Sequence, residues 1–129
     1  MTIANSNPVF SELVLAFQPG KKHPFRVAVD FYWRDKVRRD EIRHMVPANS
    51  ETDLASIPVG LRNVFNRLGP GIPAAVIHDD LYKRRAYTRK RCDEMFYEAL
   101  RDCGLPKWKA KPYYWGVRLG GAVAIGDDW

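Results

Sequence analysis

The sequence predicts an α+β fold: a small N-terminal antiparallel sheet followed by about four helices, two of which form an antiparallel hairpin. Three observations carry this. Apolar residues alternate at period two before residue 47, they switch to helical spacing after about residue 56, and a link of only a few residues, Arg84 to Thr88, joins the two most strongly helical segments. With 129 residues, 46% of them hydrophobic and 28% charged, the chain is expected to form a single domain over 1–129, with its sheet over about 8–47 and its helical part over about 56–120.

In chain order, Val9 to Phe17 reads as a strand with mixed alternation, and Gln18-Pro-Gly-Lys21 as a turn. Phe25 to Trp33 is a stronger strand, because Phe25, Val27, Val29, Phe31 and Trp33 share one face. Val37 to Asp40 reads as a bend, and Ile42 to Val46 as a third strand ending at Pro47. Ser56 before Ile57 and Pro58 is a helix start, and Val59, Leu61, Val64, Phe65 and Leu68 make a short amphipathic helix that Gly69-Pro-Gly71 breaks. Leu105-Pro106 opens the last helix, Lys107 to about Leu119, which Pro112 should kink or split. Its Trp108, Tyr113, Tyr114 and Trp115 offer an aromatic surface to a sheet or a partner, with core packing the plainer expectation. The order of the Gly-rich tail, Gly120 to Trp129, should depend on something to pack against.

Between these lies the stretch that organises the chain, Ile72 to Tyr82. Pro73 fits a first helical turn, since its missing N–H costs nothing there. Ala74, Ile77, His78, Leu81 and Tyr82 fall on one stripe, so a histidine occupies a position where an apolar residue is expected and needs a partner. The returning helix, capped by Thr88, carries Cys92, Met95, Phe96, Ala99, Leu100 and Cys103 in register and stops at Gly104, with Asp93 at the edge of that face. His78 can therefore meet Asp93, the arrangement in which a carboxylate orients an imidazole. The plain alternative is a buried pair that fixes the register of two helices.

The net charge of +6 has a local origin: Lys83, Arg84, Arg85, Arg89, Lys90 and Arg91 leave 15 basic and 15 acidic residues elsewhere. Such a basic patch can meet phosphates, anionic lipid or an acidic protein surface, or can simply keep a hairpin tip solvated. Cys92 and Cys103 sit eleven residues apart on one helix, roughly 16 Å, too far for a disulfide. No apolar run approaches the ~20 residues of a membrane span, and Met1 to Asn7 lacks a signal-peptide pattern.

Two resemblances rest on these residues. Val46-Pro-Ala, Thr52-Asp-Leu-Ala-Ser-Ile-Pro58, Ala74-Ala-Val-Ile-His-Asp-Asp-Leu-Tyr82, Arg91, Asp93, Phe96, Ala99-Leu100, Gly104, Pro106-Lys-Trp108 and Tyr114-Trp-Gly-Val-Arg118 together resemble the phage and prophage family catalogued as domain of unknown function 1353. The resemblance implies a bacteriophage origin. Separately, His78-Asp79-x-x-Tyr82 followed by Asp93 resembles the core of calcium-dependent secreted phospholipase A2 enzymes. It implies His78 as general base, Asp93 as its orienting group, Tyr82 holding Asp93, and Asp79 as a calcium ligand with Asp53 as a further oxygen donor. The pattern departs from those enzymes, whose calcium loop is glycine-rich and well upstream and whose disulfides are absent here.

Three functions follow as expectations. The first is a virion-associated structural or interaction protein of the tail or another subassembly, made in the host cytoplasm and docking on phage structural proteins. The alternative is a calcium-dependent hydrolase of envelope lipids or other esters, drawn to an anionic membrane surface. The third, a nucleic-acid-binding accessory protein, has the weakest support, because the basic run lacks interleaved aromatics and a surrounding motif.

Overall fold

A computed structural model describes residues 8–21, 25–52 and 71–125, with side chains as far as Gly120. The chain divides into two compact units, Met1–Glu51 and Thr52–Trp129.

The first unit is built on short strands: β1 (Leu15–Phe17), β2 (Phe25–Val27), β3 (Phe31–Arg34), β4 (Ile42–Val46) and, running to the unit boundary, β5 (Glu51–Thr52). They make two sheets, one ordered β1-β2-β5 and one pairing β3 with β4. Both described pairings are antiparallel, with Leu15 opposite Val27 and Phe31 opposite Val46. The two expected strands, Val9 to Phe17 and Phe25 to Trp33, are each divided between these sheets. Phe10 bridges to Trp33 whereas Leu15–Phe17 pairs with β2. Asp30 interrupts the second run where its carboxylate accepts the backbone N–H of Ala48 at 2.7 Å, and Val29, expected on the apolar face, is 45% exposed. Phe31 and Trp33 are fully buried, and Phe10 stacks on both at centroid distances of 6.0 and 6.3 Å.

The second unit contains three helices among the described residues: α1 (Ile72–Arg84), α2 (Arg89–Asp102) and α3 (Lys107–Ile125). The short helix expected over Val59 to Leu68 lies outside the described residues. Gly71 precedes α1 with Pro73 in its first turn, and Arg85 ends it in the left-handed region at φ 47°. Thr88 caps α2 as expected, its hydroxyl accepting the Arg91 N–H at 3.1 Å, and Gly104 closes it at φ 97°. Contacts run in opposite senses along the pair: Cys103 lies by the Ala74 backbone, His78 meets Asp93, and the Cys92 thiol reaches the Leu81 carbonyl at 3.9 Å. The hairpin is antiparallel. Ala74, Ile77, Leu81, Cys92, Phe96, Ala99 and Leu100 form its core seam, each no more than 1% exposed.

Helix α3 is longer than expected, reaching Ile125, and Pro112 does not split it. The donor that Pro112 lacks would have met the carbonyl of Trp108, and both residues are exposed, so that carbonyl lies where water can serve it. Among the described residues no helix is long and apolar enough to cross a membrane.

Candidate active site

The site begins with one carboxylate. Asp93, with no exposed surface, lies on α2 one turn after Arg89 and faces α1, and four side chains converge on it. His78 Nε2 lies 2.7 Å from its Oδ1, and the Tyr82 hydroxyl donates to the same oxygen. Arg118 Nη1, from α3, donates to Oδ2 at 3.0 Å, and Arg89 Nη1 to Oδ2 at 3.3 Å and to the Arg118 carbonyl at 3.3 Å. Burial alone would push the Asp93 carboxyl up, but the bonds from His78, Tyr82 and Arg118 outweigh it and hold the group below the usual carboxylate range. An ionised carboxylate only accepts. Nε2 must therefore carry the proton that it shares with Asp93, and in the neutral ring Nδ1 is left with a lone pair.

The imidazole is fixed on its faces as well. The Tyr82 and Phe96 rings lie 4.2 and 4.6 Å from it, centroid to centroid. Among the described residues Nδ1 has no hydrogen-bond partner, and the residue keeps 9% of its surface exposed. Burial and the Asp93 charge push the Tyr82 phenol well above its ordinary value, so it remains a donor across the physiological range.

A family model described as a protein of unknown function, DUF1353, matches residues 25–117. The chain belongs to the DUF1353 family. The chain is also similar to an uncharacterized protein, y4jT, of Sinorhizobium fredii, 31% identical over 107 residues that span 81% of this chain and 30% of the relative. The chain thus matches under a third of the length of that curated relative. No solved structure matches it.

In this DUF1353 chain the helices bring His78, Tyr82 and Asp93 together. They do the same for two residues that the spacing argument did not place, Arg89 and Arg118. Arg89 had one usable signal, its position four before Asp93 on the same helix. Arg118 comes from a separate helix, and its one signal was its place at the end of the Tyr114-Trp-Gly-Val-Arg118 run that carries the family resemblance.

The basic run is not one solvated patch. Arg89 is 1% exposed and points inward, which corrects its assignment to the surface. Lys83 pairs with Asp79 at 3.1 Å, Arg84 with Asp80 at 2.9 Å, and Arg91 with Glu98 at 2.9 Å and Glu94 at 3.8 Å. Arg85 and Lys90 are exposed. Asp53 lies outside the described residues. Asp79 carries a lysine partner, and among the described residues no group of three or more His, Cys, Asp or Glu side chains is gathered for a metal ion. The described residues do not by themselves fit a calcium site.

Proposed function

We propose that this DUF1353 protein hydrolyses ester bonds, of the kind found in envelope lipids, with His78 as general base. The observation that supports this is an imidazole whose Nε2 is tied to a buried, ionised carboxylate while Nδ1 has no hydrogen-bond partner among the described residues. A water at Nδ1 would give up its proton as its oxygen bonds to the ester carbonyl carbon. The resulting imidazolium would be stabilised through Nε2–H by Asp93, which stays ionised. Collapse of the tetrahedral adduct would break the bond to the alcohol oxygen, which takes the proton back from Nδ1. Tyr82, Arg89 and Arg118 would keep Asp93 from turning.

The test is release of free fatty acid from dispersed phospholipid by wild type and by His78→Gln, with circular dichroism of both. Activity in wild type and its loss in a folded variant is the expected result. Equal rates in the two proteins would refute the reading.

A second reading, a virion-associated structural or interaction protein, is favoured by the completeness of bonding at Asp93. Four donors from three helices suffice to pin those helices without any chemistry. On that reading the chain would be found in purified particles at stoichiometric copy number, and its absence there would count against it.

A further inference from the structure

Helix α3 has two opposed faces. Ala110, Tyr113 and Val117 are buried, whereas Trp108, Trp115 and Leu119 are 72%, 57% and 67% exposed. The exposed three follow one another at i, i+7 and i+11, which makes a single row, and that row lies about 170° around the helix from the buried residues. Lys107, Lys109 and Lys111 flank it, all exposed, and the Lys109 ammonium lies 5.1 Å from the centroid of the Trp108 ring. From Gly104 to Gly126 the sequence contains no aspartate or glutamate. The acids that line the groove beside Trp115 are Glu94 and Glu98, and Arg91 engages both.

We propose that this ridge docks the protein on an anionic phospholipid surface, with α3 lying along the bilayer interface. Tryptophan rings favour the headgroup depth, leucine the acyl boundary, and lysines that border such a row reach outward to lipid phosphates. Each lysine held near an anionic leaflet adds to that attraction, and the helix brings no carboxylate to oppose it. A nucleic-acid duplex would use the lysines but leave the tryptophan and leucine row in water, and a single strand could stack on the tryptophans but would leave Leu119 uncovered. An apolar protein face would cover the row but leave the lysines uncompensated. The anionic bilayer satisfies both. Docking does not depend on ester cleavage, so the two proposals can fail separately.

The experiment is co-sedimentation of the full chain with phosphatidylcholine vesicles, with and without phosphatidylglycerol, read together with tryptophan emission. The expected result is partition onto the phosphatidylglycerol vesicles with a blue shift. Trp108→Ser with Trp115→Ser should lower that partition roughly 100-fold, and Lys→Gln at 107, 109 and 111 should lower it by a similar factor, about tenfold or less for each lysine. These side chains are exposed, so unchanged thermal midpoints are expected. His78→Gln should bind as wild type does, which separates loss of docking from loss of hydrolysis. Wild-type partition by the double tryptophan variant would overturn the proposal, because it would reduce binding to net charge. So would equal binding to pure phosphatidylcholine, or no binding at all. Self-association abolished by the tryptophan changes, without vesicle binding, would assign the ridge to a second copy instead.

Discussion

Replacing Asp93 by asparagine removes one negative charge from a cluster that holds two arginines. The two guanidiniums lie 3.0 and 3.3 Å from the carboxylate, and the Arg89 side chain has no exposed surface. With the carboxylate gone, Arg89 is a buried cation facing a neutral amide, and breaking a buried pair from one side costs about 3–5 kcal/mol. Against a total stability of about 5–15 kcal/mol, the variant should lose a large fraction of its folding free energy, and its thermal midpoint should fall by roughly 10–20 °C. Urea unfolding followed by circular dichroism measures this. Arg118→Met should cost less, about 1–3 kcal/mol, because that side chain is 20% exposed and water can replace part of what it loses. Combining Asp93→Asn with Arg89→Gln should cost less than the sum of the two by about 1–3 kcal/mol, since neither charge is then left alone. A loss below about 1 kcal/mol for Asp93→Asn, or additivity within about 0.5 kcal/mol, would refute the claim that the cluster is electrostatically closed.

Other consequences follow from the same site and its surroundings. The folded Asp93 carboxyl titrates below its unfolded value of about 3.8, so its contribution is present above that pH and is lost as the pH falls through the lower folded value. Acid unfolding of Asp93→Asn should therefore be flatter than that of wild type below about pH 4. Tyr82 behaves oppositely. Its raised folded value keeps its contribution intact below pH 10 and removes it as the pH climbs further. An ultraviolet titration should show a late-ionising tyrosine that Tyr82→Phe abolishes, and that variant should lose about 1–3 kcal/mol at neutral pH. Burial pushes the Cys103 thiol up to about 11 and raises that of Cys92 as well. Both should react slowly with a disulfide reagent near pH 8, with partly exposed Cys103 first and buried Cys92 only on unfolding.

The hairpin was legible because local rules agreed along its length. Thr88 as cap, Gly104 as stop and the apolar register from Cys92 to Leu100 all pointed to one helix, and a lone histidine on its partner's apolar stripe called for a buried acceptor. The strands were less legible. Period-two alternation from Phe25 to Trp33 is unbroken, yet the run changes sheets at Ala28–Asp30, because the Asp30 carboxylate binds the Ala48 amide. That is a contact between distant residues, invisible to periodicity. Pro112 does not split α3, because the turn that loses a hydrogen bond there is exposed and water can serve the Trp108 carbonyl. The six-cation run misled because charge counting treats each arginine as solvated. Arg89 occupies the inner face of α2, where its partner is the same carboxylate that holds His78.

The most direct test of the site is the protonation pattern of the His78 ring, read from nitrogen-15 shifts in a sample labelled at its three histidines and assigned with His78→Gln. Wherever the ring is neutral, Nε2 should carry the proton and couple to Asp93 while Nδ1 is unprotonated, and Asp93→Asn should disturb this preference. A neutral ring protonated on Nδ1 would leave Nε2 unable to donate to an ionised carboxylate, and would contradict both the geometry of the dyad and His78 as a base.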